Sequence, residues 1–314
     1  MNQSSTSDCR EPQGQALVNR YRKNYGIPDE AELSEAMILS HWDLERRLRG
    51  ELLASSPENR RNTFERCYTE LYSELGWLNR LMDSIGSKPP ESRFADWLGI
   101  IGEPGDPPAR VFELGPGKGE LIGLLADRGF DCTASEITSE RGDKWQAERP
   151  NLGWIASDGI HLDLFVAPES FDIIISSQVI EHLHPDDLDA HFRGAASILR
   201  PGGRYIMSVP HSYAGPADIS RVFDCDSTHG MHLKEYTYRQ LTQAAEMADF
   251  HRLLAPIRFP GGKLKPVASS FYLNYMIGLE SLIGLFPAGR KRRMVAKAAR
   301  VLYFSPFLML VAEK

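Results

Sequence analysis

From residue 29 onward, apolar side chains recur at steps of three and four. Leu33, Met37, His41, Leu44, Leu48 and Leu52 share one helical face, and Ser55, Ser56 and Pro57 bring that helix to an end. A second stripe, Phe64, Tyr68, Leu71, Leu75 and Leu78, predicts a second helix. His41 lies on the first stripe and reads as a buried, hydrogen-bonded histidine, not a catalytic one. Turn-rich runs, G-S-K-P-P and the 102–108 run G-E-P-G-D-P-P, separate these helices from the rest of the chain. The expected plan is a disordered or weakly ordered tail over 1–28, a helical cap over 29–107 and a core over 108–314. The cap serves either as a lid or as a homodimer interface.

The core alternates in period. Short apolar runs at 110–114, 132–135, 153–156, 171–176, 204–209, 251–257 and 307–312 predict strands, and helical patterns at 120–128, 139–148, 185–199 and 237–248 lie between them. The run F-D-I-I-I-S suits a strand covered on both faces. Strands alternating with helices imply an α/β fold with a doubly wound parallel sheet. The stretch at about 261–305, before the last strand, is longer than a hairpin needs and is expected to be a helical insertion. The apolar part of this insertion, 271–286, is too short and too polar to span a bilayer. Arg290, Lys291, Arg292, Arg293, Lys297 and Arg300 follow it, a pattern that fits either a substrate lid or peripheral membrane contact through 271–300.

Composition narrows the class. Hydrophobic residues make up 42% and charged residues 25%, as in an ordinary soluble domain, and the net charge of −6 excludes bulk affinity for nucleic acid. Cys9, Cys67, Cys132 and Cys225 are scattered and form no C-x-x-C pair, so reduced thiols are expected. The polar N-terminus has no apolar signal segment, and the expected location is the cytoplasm.

The candidate chemistry gathers at R-V-F-E-L-G-P-G-K-G-E. Glycines at Gly115, Gly117 and Gly119 after a strand bring bare amides to a ligand. A dinucleotide fingerprint needs a third glycine where Glu120 stands, and the acid Glu113 would repel a pyrophosphate. An acid there suits a cationic ligand, and S-adenosylmethionine fits.

At these residues the chain resembles the class I S-adenosylmethionine-dependent methyltransferases, in particular the broad small-molecule subgroup. E-L-G-P-G-K-G is similar to the family's glycine motif, S-E-I-T to the end of its second strand, S-D-G to its adenine motif, and F-D-I-I-I-S-S-Q-V-I-E-H-L to its fourth-strand motif. L-R-P-G-G-R-Y-I-M-S-V-P and H-L-K-E-Y-T-Y-R-Q-L resemble later segments. The resemblance implies a Rossmann-like sheet of seven strands with an antiparallel last strand. It also implies that Glu136, with Ile137, meets the ribose, that Asp158 and Gly159 meet the adenine, and that Ser177 and Gln178 border the cofactor.

For the methyl acceptor the residues say less. A hydroxyl acceptor needs a base, and His182, His211 and His232 are the candidates in that order, His182 and His211 because each follows a strand at the sheet's C-terminal edge. Glu181, His182, His184, Asp186 and Asp187 are rich in metal-ligand types, yet 185–187 also reads as an acidic first helical turn, and no metal is expected. The expected activity is methyl transfer to a small molecule, at a hydroxyl of a sugar, glycan precursor or secondary metabolite. A lipid-linked acceptor at a membrane surface and a catalytically silent binding protein are the alternatives.

Overall fold

The computed structural model describes residues 9, 10, 12–85, 90–137, 149–257 and 266–314. The helix expected at 139–148 lies outside them, as does the start of the insertion at 261–265. Two units emerge, each gathered from separate stretches of chain: residues 1–87, 210–235 and 283–306 form one, and 88–209, 236–282 and 307–314 the other.

The second unit holds the sheet. Its strands are β1 (Arg110–Leu114), β2 (Asp131–Glu136), β3 (Leu152–Ala156), β4 (Phe171–Ser177), β5 (Leu199–Pro210), β6 (Arg252–Ile257), β7 (Val267–Ser269) and β8 (Phe307–Glu313), in the order β3-β2-β1-β4-β5-β8-β6-β7. The first five pair in parallel, and β8 runs antiparallel to β6. Ile173, Ile174 and Ile175 are all buried, which explains the unbroken apolar run: side chains alternate between two covered faces. On one face, Leu121, Ile122 and Leu125 of the helix Glu120–Asp127 pack with Val111, Ile173, Ile175 and Ile206.

Among the described residues, eight strands replace the expected seven. The extra one, β7, is three residues paired antiparallel with the end of β6, too short to announce itself by periodicity. The strand expected from 204 begins at Leu199, because the register shifts between Phe171 and Ile173 and takes in the R-P-G-G turn. The helix before it starts later than expected, at Leu188, behind a 3₁₀ turn at Pro185–Asp187.

The first unit is helical. α1 (Gly14–Tyr25), α2 (Glu35–Leu53), α3 (Pro57–Glu74) and α4 (Gly76–Ile85) lead it, and the residue Ser34 caps α2 by accepting from the Met37 amide at 3.2 Å. The expectation of a weak tail through residue 28 is corrected for Gly14–Tyr25. Leu17 and Tyr21 are fully buried in a core with Ile38, Trp42, Ile219 and Phe223, and Trp42 stacks on Phe223 at 4.3 Å. His41 is buried as expected: Nδ1 pairs with the Tyr21 hydroxyl at 2.8 Å and Nε2 with Glu45 at 2.7 Å. The expectation of four reduced thiols is also corrected. Cys9 and Cys225 form a disulfide across 216 residues, which spacing could not reveal, while Cys67 and Cys132 are free and buried. Among the described residues, no helix is long and apolar enough to cross a membrane.

Candidate active site

The ends of β3, β2, β1 and β4 lie side by side and carry most of the predicted residues to one edge of the sheet. Glu113 is the fourth residue of β1, 3% exposed, and burial, with Glu136 near, pushes its carboxyl up to about 8 despite a hydrogen bond from the Ile122 amide. Among the described residues its Oε2 has no hydrogen-bond partner.

Gly115, Gly117 and Gly119 all sit in the left-handed region, at φ 58°, 58° and 68°, so side chains would strain the loop at every second position. At Gly115 a Cβ would also come within 2.6 Å of Val179 Cγ2, whereas at Gly117 the same place is open. The loop is tied to β2 by two bonds: the Gly115 amide donates to the Ser135 carbonyl at 2.9 Å, and the Gly117 amide to Glu136 Oε1 at 3.2 Å. Glu120, the residue that broke the dinucleotide pattern, forms an ion pair with Arg93.

Ile137 follows Glu136 and is half-buried. After β3, Ser157 exchanges a hydroxyl hydrogen bond with Ser135 at 2.5 Å. Asp158 closes a small turn: Oδ1 accepts from the Ile160 and His161 amides at 2.8 and 2.9 Å, and Oδ2 contacts His161 Nδ1 at 2.9 Å. Burial raises the Asp158 pKa, yet the His161 and amide bonds outweigh it and hold the carboxyl below its usual range. Gly159 follows at φ 70°. Beyond β4, Ser177 ends the strand and Gln178 takes a left-handed φ of 59°, with its amide donating to the Ser208 carbonyl at 2.8 Å.

Of the three histidines, only His182 belongs to this unit. It ends the 3₁₀ turn Ile180–His182, directly after the β4 loop, and is half-buried. His211 and His232 fall in the helical unit. His211 is fully buried, takes the Tyr213 amide on Nδ1 at 3.1 Å and packs on Phe304 at 4.5 Å, while His232 Nδ1 lies 3.0 Å from Glu235 Oε1.

Sequence reasoning passed over a buried relay beneath this edge. His191 Nδ1 donates to the Gly159 carbonyl at 2.6 Å, Tyr205 donates to His191 Nε2 at 2.9 Å, and Ser176 donates to the Tyr205 hydroxyl at 2.7 Å. Burial drives the His191 pKa down to about 4, consistent with this neutral tautomer. Its only sequence signal was a polar residue on the apolar face of the helix Leu188–Ile198.

The model of the family described as "Methyltransferase domain" matches residues 90–254. The chain belongs to the class I S-adenosylmethionine-dependent methyltransferases. The cofactor is S-adenosylmethionine. A malonyl-[acyl-carrier protein] O-methyltransferase of Methylococcus capsulatus is 34% identical over 110 residues, 33% of this chain and 38% of the relative. An uncharacterised protein of Mycobacterium tuberculosis is 28% identical over 158 residues, 43% of this chain and 52% of the relative. The match thus spans about half or less of the length of these relatives. Among solved structures, the 1,6-didemethyltoxoflavin-N1-methyltransferase of Burkholderia thailandensis, with 1,6-didemethyltoxoflavin and S-adenosylhomocysteine bound, shares the fold: TM-score 0.50, 16% identity, covering 83% of this chain and 91% of that one.

Proposed function

We propose that this chain transfers a methyl group from S-adenosylmethionine to an oxygen of a small-molecule acceptor, a hydroxyl of a sugar, glycan precursor or secondary metabolite. Glu113 carries the reading. A carboxyl buried at 3% exposure, with one oxygen lacking a partner among the described residues, is a poor anion until a cation approaches it, and the donor brings both a sulfonium and an ammonium. When bound, the donor supplies an electrophilic methyl group. On the protein's side, Gly115, Gly117 and Gly119 keep side chains out of the loop, and Glu136 with Ile137 receives the ribose. Asp158 and Gly159 meet the adenine; a carboxylate has about four acceptor positions, so the turn bonds to Asp158 leave room for one more. Ser177 and Gln178 border the same edge. His182 is the base that removes the acceptor's proton, ahead of His211 and His232. The O-methyltransferase name of the Methylococcus relative agrees with transfer to oxygen.

A lipid-linked acceptor is the second reading, favoured by apolar side chains left exposed beside the basic helix at 290–298. Calorimetric titration with S-adenosylmethionine and with NAD tests the first step. Heat with the former alone is expected, and none with S-adenosylmethionine refutes the proposal. Incubation with isotopically labelled donor and a panel of hydroxylated acceptors, soluble and lipid-linked, tests the second. Label in no acceptor would mark a silent binding protein, and loss of the base in His182→Ala should slow turnover about 100-fold.

A further inference from the structure

The helical unit contains a cavity of about 460 Å³ lined by α1, the 214–224 stretch and residues of 290–304. Among the described residues six cations line it, Arg20, Arg221, Arg290, Arg293, Lys297 and Arg300, against one acid, Asp224. The whole chain carries −6, so this wall gathers positive charge against the average. Two of the six hold the walls together. Arg20 Nη2 donates to the Arg221 carbonyl at 3.0 Å and lies 3.7 Å from Asp224, while Arg293 donates to the Cys225 carbonyl and, at 2.8 Å, to Asp226 Oδ1. Stretches of chain far apart in sequence are thereby clamped around one concavity.

The other four are different. Among the described residues, no ion pair engages Arg221, Arg290, Lys297 or Arg300. Cations facing a shared hollow repel one another, and a polyanion seated there would reverse the sign of that interaction. Guanidinium forks suit phosphoryl oxygens, which accept paired hydrogen bonds in their plane. Apolar side chains of the same 285–303 segment are exposed: Leu285 is 81% exposed, Met294 63%, Val301 84% and Tyr303 60%, and Met294 itself lines the cavity. Exposed large apolar groups at this density mark a surface that meets something other than water.

We propose that this cavity binds a phosphate- or diphosphate-bearing ligand, its anionic group held by Arg221, Arg290, Lys297 and Arg300. The phosphoryl group comes either from a soluble metabolite or from the head of an amphiphile whose tail meets the exposed apolar side chains of this segment. None of these residues lies at the edge assigned to the methyl donor, so the proposal stands apart from that reading.

The test uses the full chain and two probes. Inorganic pyrophosphate is titrated calorimetrically, and vesicles of phosphatidylcholine with and without phosphatidic acid are sedimented with the protein. The triple variant Arg290→Ala/Lys297→Ala/Arg300→Ala should weaken binding about 10-fold or more, since charge-assisted hydrogen bonds are lost. Lys291→Ala, on the same helix but outside the lining, should change it by less than about 2-fold, as expected of a solvated charge. These side chains are exposed, so the triple variant should fold; Lys297→Ala alone keeps the comparison if it does not. Pyrophosphate binding lost in the triple variant supports a soluble source. Co-pelleting only with phosphatidic acid, lost in the same variant, supports a lipid source. Binding of neither probe by the native chain, or an equal loss from Lys291→Ala and Lys297→Ala, overturns the proposal.

Discussion

The amide of Gly117 donates to Oε1 of Glu136 across 3.2 Å, so the glycine loop after β1 and the end of β2 act as one piece. Replacing Glu136 with Ala removes a charged acceptor from that piece and, on the proposed reading, the group that receives the ribose. Donor affinity should fall about 10- to 100-fold, the range for hydrogen bonds to charged groups. Glu136→Gln retains an oxygen for Gly117 and should lose less. A calorimetric Kd unchanged in Glu136→Ala would remove that residue from the site.

Gly115→Ala meets two obstacles, a left-handed φ of 58° and a Cβ 2.6 Å from Val179 Cγ2. Strain and overpacking together should destabilise the fold by about 2–4 kcal/mol in urea unfolding. Adding Val179→Ala relieves only the contact, so partial recovery is the expected signature. Full recovery would show that the backbone conformation is no constraint.

Glu113 gives a pH dependence with a definite sign. Its carboxyl titrates at about 8 in the fold against 4.5 for an ordinary glutamate, so between those values the folded chain holds a proton that the unfolded chain has lost. Stability from this group is full below about 4.5 and declines as pH rises toward 8. Cation binding should also expel that proton. Titrations with S-adenosylmethionine near pH 7, in buffers of differing ionisation enthalpy, should show proton release that Glu113→Gln abolishes.

His191 acts in the opposite sense. With its pKa lowered to about 4 from 6.5, it stays neutral in the fold while the unfolded chain takes up a proton, so stability falls as pH drops from about 6.5 toward 4. His191→Phe should flatten that limb. It should also cost about 2–5 kcal/mol, because the Gly159 carbonyl and the Tyr205 hydroxyl both lose partners in a buried place. An unaltered acid limb would assign the dependence to other groups.

The Cys9–Cys225 bond closes a loop of 216 residues. On the chain-entropy model such closure stabilises by up to about 5 kcal/mol, so reductant should lower the melting temperature and Cys225→Ser should abolish the reductant effect. Mass spectrometry after alkylation in denaturant without reduction should find two blocked thiols, Cys67 and Cys132. Four would disprove the bond.

Much of the sheet was legible because its signals are local. Ile173 to Ile175 declare a strand covered on both faces, and E-L-G-P-G-K-G declares the turn after β1. The features that stayed hidden depend on partners distant along the chain. Nothing near Gly14 says that Leu17 and Tyr21 will find Ile219 and Phe223, nothing near Cys9 points to Cys225, and β7 exists only because Ile257 offers it an edge. At the candidate site, spacing picked out Glu113, Glu136 and Asp158 at adjoining strand ends. His191 escaped notice because its role is to hold the Gly159 carbonyl from below, and only the pairing of strand and helix brings it there.

The helical unit's core joins Trp42 to Phe223, and that union has a timetable. During synthesis α1 and α2 leave the ribosome before the sheet, yet Ile219, Val222 and Phe223, which share their core, come only with 210–235. The strands β1 to β4 arrive close together in between and pair with near neighbours. A chain truncated after residue 209 should therefore leave α1 and α2 open to protease. The apolar faces at Leu17 and Trp42 wait for nearly two hundred residues of chain before Ile219 and Phe223 complete their core.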